Sequence, residues 1–213
     1  MAPRGRLLAL EGIDGCGKST QARAIADALG ARLTHEPGAT ELGAALRRLL
    51  LAPDSPPISL RAEALLMAAD RAEHVALVVE PALAAGVWVV SDRFSGSTLA
   101  YQGYGRGLST AELRSVTDWA TSGLAPDLSI LVDVPVDVAQ ARLAQSGLAQ
   151  TAPDRLERLG PAFAQLVRDG FLDLAADDPA HWAVVDGTTD PAVVTARIVA
   201  IVHNRLGQPP DRA

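Results

Sequence analysis

One cysteine, one lysine, two methionines and 4% aromatic residues are what 213 positions hold of those types. A lone Cys16 excludes an internal disulfide and any cysteine-based zinc cluster, and makes a reducing cytoplasm the expected compartment. Basic residues are outnumbered, 19 Lys plus Arg against 25 Asp plus Glu, for a net charge of −6. That balance excludes a general nucleic-acid or anionic-membrane binder, which needs a basic face, but leaves room for a small basic pocket. Long apolar runs are missing too. The stretch from Val75 to Val90 is cut by Glu80, Pro81 and Gly86, and Leu7 to Leu10 is too short for a signal core. Neither a membrane span nor a targeting segment is expected.

What remains is 48% hydrophobic and 21% charged, the balance of a globular chain. At about 150 residues per domain, the length suits one domain or a tight pair. Short apolar runs alternate with helical patterns, without repeats or low-complexity tracts. Strands are predicted at Leu7 to Glu11, Arg32 to Thr34, Val87 to Val90, Leu128 to Val134 and Trp182 to Val185. Helices are predicted at Lys18 to Leu29, Glu41 to Leu51, from Ser59 with a bend at Pro81, after Ser109, at Val136 to Gln145, at Arg155 to Ala176 with a break near Gly160, and from Pro191. Five strands alternating with helices imply an α/β fold with a parallel sheet covered on both faces.

The single lysine is informative. Eighteen arginines accompany it, a skew typical of GC-rich codon usage, so Lys18 marks a place where arginine does not serve. It lies in G-I-D-G-C-G-K-S (Gly12 to Ser19), a complete G-x-x-x-x-G-K-[ST] phosphate loop between a predicted strand and a predicted helix. Backbone N–H groups of Gly12, Ile13, Asp14, Gly15, Cys16, Gly17, Lys18, Ser19 and Thr20 are the candidate ATP cradle. Lys18 is expected to reach the β- and γ-phosphates, and Ser19 and Asp92 are the candidate Mg²⁺ ligands. Cys16 reads as a small filler, since no base partner accompanies it. Asp92 and Arg93 close the strand from Val87, and strand C-terminal ends border the ligand crevice of a parallel sheet. No N-K-x-D guanine motif occurs.

E-G-I-D-G-C-G-K-S-T (Glu11 to Thr20), T-H-E-P-G-A-T (Thr34 to Thr40), A-A-D-R-A-E-H (Ala68 to His74) and D-R-F-S-G-S-T-L-A-Y-Q-G (Asp92 to Gly103) resemble bacterial thymidylate kinases. G-R-G-L (Gly105 to Leu108), P-D-L-S-I-L-V-D-V (Pro126 to Val134) and D-R-L-E-R (Asp154 to Arg158) follow in the same order. The resemblance implies a nucleoside monophosphate kinase fold and transfer of the ATP γ-phosphate to dTMP, with Mg²⁺ and as a homodimer. It implies one kinase domain over residues 1–206, a lid at about 146–158 and a disordered tail over 207–213.

By resemblance, Arg47 and Arg93 grip the dTMP phosphate, and Arg71 faces the thymine. Asp14 holds the sugar 3′-hydroxyl or lies near the metal. Thr98 and Gln102 address the nucleoside, Tyr101 crowds the sugar 2′-position, and Glu36 and Pro37 complete the site. The acceptor oxygen is already anionic, so the task is to bring two polyanions together rather than to remove a proton.

Three positions depart from the family pattern. Met67 stands where many relatives stack a Phe on the base, and His35 stands where an Arg often precedes Glu-Pro-Gly. The lid stretch from Ser146 to Asp154 holds no arginine, which leaves Arg155, Arg158 or Arg142 as the transfer cation, with Arg155 favoured. Alternatives are a small P-loop kinase for another nucleotide or a metabolite, and a nucleotide-binding regulatory protein without turnover.

Overall fold

The computed structural model describes residues 4–145 and 154–209. The strands are β1 (Leu7–Glu11), β2 (Arg32–His35), β3 (Val89–Asp92), β4 (Leu128–Asp133) and β5 (Trp182–Asp186). All pair in parallel, in the order β2-β3-β1-β4-β5. Every residue of central β1 is buried, as a strand covered on both faces must be. Alternate side chains face opposite layers: Leu8, Leu10 and Val90 pack with Ala22, Ile25 and Ala26, whereas Leu7, Ala9 and Val89 pack with Val75, Val79 and Leu83.

The helices are α1 (Lys18–Leu29), α2 (Glu41–Leu51), α3 (Leu60–His74), α4 (Glu80–Ala84), α5 (Ser95–Thr98), α6 (Thr110–Ala120), α7 (Val136–Gln145), α8 (Gly160–Asp177) and α9 (Pro191–Leu206). Gly30 stops α1 in the left-handed region, its N–H bonded to the last carbonyls. Ser109 accepts from the Glu112 N–H and Asp190 from the Ala192 N–H, so both expected caps form.

β2, β4 and β5 end within one residue of the sequence reading, and four features differ from it by more. β3 runs Val89–Asp92, not Val87 to Val90: the Val87 N–H turns back to the Ala82 carbonyl, and pairing begins only at Val89. The bend expected at Pro81 is prepared one turn earlier by a π-helical segment, Val75–Val79, after which Pro81 sits in the first turn of α4, where its missing N–H costs nothing. The stretch after Asp92, where the sequence predicts no element, is helical, α5 followed by a π segment over Leu99–Gly105. The helix expected from Arg155 begins at Gly160, preceded by a 3₁₀ turn at Glu157–Leu159. Of the expected lid and tail, residues 146–153 and 210–213 lie outside those described. No helix among the described residues is long and apolar enough to cross a membrane.

Candidate active site

The loop from β1 to α1 turns through three glycines with positive φ, Gly12 (143°), Gly15 (83°) and Gly17 (95°). At Gly15 a Cβ would lie 2.3 Å from the Ala139 carbonyl oxygen, so only glycine lets the loop pass beside α7. Lys18 is 6% exposed, with Nζ 3.2 Å from Asp14 Oδ1 and 3.4 Å from the Ile13 carbonyl. Residues Gly15 to Thr20 form one wall of an open cleft whose far side is Val132, Arg142, Gly187 and Thr189. Arg142 bridges the walls, donating to the carbonyls of Cys16 (3.2 Å) and Gly187 (2.9 Å).

Arg93 follows β3 with φ at 74°. Its Nη2 donates to Asp14 Oδ1 (2.6 Å) and to the Tyr101 hydroxyl (3.0 Å), which donates to Asp14 Oδ2 (2.9 Å). Its Nη1 donates to the Gly12 carbonyl and to Ser97 Oγ, both at 3.0 Å. Burial pushes the Asp14 carboxyl upward, but the Lys18 and Arg93 charges outweigh it and hold the group well below the usual carboxylate range. Asp14 therefore joins the phosphate-loop lysine to the arginine of the neighbouring cleft.

That neighbouring cleft, of about 600 Å³, is lined by Asp14, Glu36, Pro37, Arg47 and Met67, and further by Arg71, Arg93, Thr98, Tyr101 and Gln102. All ten residues expected around the monophosphate thus share one cleft. Arg71 is fixed by Glu36 Oε2 (2.8 Å), Thr98 Oγ1 (2.9 Å) and the Phe94 carbonyl (2.9 Å). His74 holds the other oxygen of Glu36 at 2.8 Å and bonds Thr34 Oγ1 at 2.6 Å through its second ring nitrogen. Arg47 donates to the Pro37 carbonyl (2.9 Å), and Gln102 Nε2 donates to buried Glu63 (2.9 Å). Edge-on contacts with Phe163 and Phe171 hold the Tyr101 ring.

Between the two clefts lies a junction sharing Lys18 and Ser19 with one and Asp14, Glu36, Arg47 and Arg93 with the other. Asp92 lines it, and Asp92 Oδ1 is buried without a hydrogen-bond partner among the described residues. A buried carboxylate oxygen left open in a junction that Ser19 also lines is a hard donor set that fits Mg²⁺. His35 also lines the junction, where burial and the Arg47 charge lower its pKa, so at neutral pH it adds little positive charge.

A family model described as Thymidylate kinase matches residues 10–198. The chain belongs to the thymidylate kinase family. A curated Thymidylate kinase of Cupriavidus necator is 46% identical over 93% of this chain and 98% of the relative. One from Synechococcus is 47% identical over 95% and 98%, and one from Carboxydothermus hydrogenoformans 47% over 96% and 100%. Membership of the thymidylate kinase family makes the chain a phosphotransferase.

The sequence reading assigned Arg155 to the lid of this thymidylate kinase-family site and gave Glu63, Asp70 and Glu11 no role. Arg155 is directed at Glu63 Oε2 (2.5 Å) and the Leu50 carbonyl (2.8 Å), with Asp154 and Leu156 on the rim of the monophosphate cleft. Burial pushes the Glu63 carboxyl up, but hydrogen bonds from Gln102, Arg106 and Arg155 outweigh it and lower the pKa. Asp70 accepts from the Gly38 N–H (2.9 Å), and burial together with the Glu36 charge pushes it up to about 6. Glu11, with no exposed surface, is pushed up to about 7 by burial, against the pull of Ser97 and Arg93. Its signal in the sequence is an acid ending an otherwise apolar buried strand, which demands partners.

These two raised carboxyls set a pH dependence of stability. A group raised from 4.5 to about 7, as Glu11 is, contributes stability fully present below 4.5 and lost as pH rises through 7. Asp14 and Glu63 are lowered, so their contributions are lost only at more acid pH. Wild type is therefore expected to lose stability between pH 5 and pH 8, with the Glu11 share on the order of 3 kcal/mol. Glu11→Gln removes that share, and denaturant midpoints of both proteins at the two pH values check it. Equal losses in the two proteins would place the effect elsewhere.

Proposed function

We propose that this chain transfers the γ-phosphoryl group of ATP to the phosphate of dTMP, giving dTDP, by direct in-line displacement. The observation that carries the reading is the junction: two clefts suited to phosphates meet where Lys18, Arg47, Asp92 and Arg93 converge. In this reading, backbone groups from Gly12 to Thr20 cradle the ATP phosphates, with the N-terminus of α1 adding positive potential. Lys18 neutralises charge at the β- and γ-phosphates, and Arg47 and Arg93 hold the acceptor phosphate. Mg²⁺, held by Ser19 and Asp92, would supply further charge neutralisation. Arg71, Met67, Thr98 and Gln102 receive the thymine, with Glu36 and Pro37 fixing the wall behind it. Met67 covers a ring face by contact without aromatic stacking. Asp14 serves the sugar 3′-hydroxyl or the metal environment, and Arg155 supplies the closing cation.

ATP-dependent turnover measured side by side with dTMP, dUMP, dCMP, dGMP and AMP tests the reading, with dTMP expected to lead. A leading rate for another monophosphate makes the chain a kinase of that nucleotide, and no turnover with any makes it a nucleotide-binding protein.

Tyr101 is packed against two phenylalanines and bonded to Asp14 and Arg93, contacts that support a role for its hydroxyl beside the sugar. Tyr101→Ala is expected to raise activity on ribo-UMP relative to dUMP about fivefold while lowering both rates, a shift worth about 1 kcal/mol. An unmoved ratio, read from the two kcat/KM values, makes Tyr101 a packing residue. Homodimer formation belongs to the same proposal. Trp119 on α6 is 85% exposed and Leu65 on α3 57%, an apolar face that a second copy would cover. Sedimentation of wild type and Trp119→Lys compares the two masses. The reading takes residues 1–206 as one kinase domain in the cytoplasm.

A further inference from the structure

Glu11 ends β1, is fully buried, and lines neither phosphate cleft nor the junction. Its carboxylate is nevertheless closely engaged with the segment that follows Arg93. Oε1 accepts from the N–H groups of Phe94 (3.0 Å) and Ser97 (3.2 Å), and Oε2 accepts from the Ser97 hydroxyl (2.6 Å). Gly96 lies flush against it, since a Cβ there would stand 2.9 Å from Glu11 Oε1 and 2.7 Å from the Trp182 ring. The segment held in this way is the one that starts with Arg93 at φ 74°, a left-handed conformation that costs a non-glycine residue about 1 kcal/mol.

The direction of these hydrogen bonds matters. When Glu11 is ionised its carboxylate only accepts, and the Ser97 hydroxyl then points its hydrogen at Glu11. Its lone pairs are then presented on the other side, where Arg93 Nη1 donates to Ser97 Oγ at 3.0 Å. The chain Glu11–Ser97–Arg93 thus converts a buried negative charge into a fixed acceptor for the guanidinium at Ser97, on the wall of the monophosphate cleft. An unpaired buried carboxylate would cost several kcal/mol, and here three donors and the Arg93 and Arg71 charges offset part of that cost, burial still raising the carboxyl to about 7.

We propose that Glu11 is a positioning residue for Arg93, setting through Ser97 the direction in which the guanidinium meets the acceptor phosphate. The identity of that acceptor rests on the function proposed above; the coupling between Glu11 and Arg93 does not. Glu11→Gln keeps the shape but can place an NH₂ where Oε2 stood. The Ser97 hydroxyl then becomes an acceptor toward residue 11 and turns its hydrogen toward Arg93, opposing the guanidinium. Ser97→Ala removes the relay altogether and should act in the same sense.

The test is a double-mutant cycle on kcat/KM for the monophosphate, with KM for ATP and thermal midpoints measured in parallel. Glu11→Gln is expected to lower kcat/KM for dTMP about tenfold, leaving KM for ATP within twofold. In an Arg93→Ala background the same substitution should add less than twofold, because the group it positions is gone. A full tenfold loss in that background, or a matching rise in KM for ATP, would overturn the proposal and make Glu11 a general support of the fold. Should Glu11→Gln fail to fold, Ser97→Ala enters the same cycle with the same expectations. Should wild type prefer another monophosphate, the cycle is run with that one, so failure of the substrate assignment and failure of the coupling are read separately.

Discussion

Arg155→Ala is expected to lower turnover at least a hundredfold while dTMP affinity shifts only a few-fold. A phosphoryl group in transfer spreads charge that a mobile cation stabilises, and such arginines are worth about 10³ to 10⁵ in rate. Arg155 adjoins the lid stretch that lies outside the described residues, and in this conformation it is parked on Glu63 and the Leu50 carbonyl. Leaving Glu63 does not strand that carboxylate, because Arg106 and Gln102 also donate to it. Exchanging Glu63 for a phosphate would therefore leave no buried carboxylate unpaired. The competing arginines are placed differently. Arg142 spans the phosphate-loop cleft between two carbonyls, and Arg158 bonds the Pro53 carbonyl. Coupled ADP release and dTMP titration on the three alanine variants decide among them. A larger rate loss for Arg142→Ala would move the transfer role there, and a larger one for Arg158→Ala would move it to that residue.

Lys18→Arg is expected to cut turnover at least thirtyfold with the fold retained. The ammonium sits 3.2 Å from Asp14 Oδ1 and 3.4 Å from the Ile13 carbonyl, beneath a loop whose curvature leaves it 6% exposed. A guanidinium is planar, wider and directional, so its charge cannot occupy the same point. It would push on the Ile13 carbonyl or displace Asp14, and Asp14 in turn holds Arg93 and Tyr101. Turnover and thermal midpoint measured together check this. Near wild-type turnover would remove the argument that one lysine persists among arginines because its position demands it.

The parts of the molecule that were legible in the sequence are those whose causes are local. Gly12, Gly15 and Gly17 with Lys18 specify the phosphate loop, and Gly30 specifies where α1 stops. The boundary of β3 was misplaced by two residues because Val87 and Trp88 have strand propensity. What decides the start is the Val87 N–H, which closes the preceding turn onto Ala82. The π segment at Leu99–Gly105 is not predicted from the sequence, since inserting a residue into a helical turn is a choice made by packing. Tyr104 lies so close to α8 that a Cβ on Gly170 would be 2.5 Å from its ring. The same limit applies around the site. Family motifs brought ten residues to one cleft, yet the groups that hold them, Glu11, Glu63 and His74, are joined to their partners across as many as 92 positions. No spacing in a single chain encodes such pairs.

Asp14 has one more consequence, for the protein at rest. Lys18 and Arg93 are both turned onto its carboxylate, one negative charge shared between two cations. A small anion that binds between Lys18 and Arg93 must compete with a carboxylate already in place and covalently tethered. A nucleotide brings sugar and base contacts along with its phosphate, and so can drive that exchange where inorganic phosphate cannot. Internal pairing of this kind works as a filter against the abundant small anions of the surrounding solution.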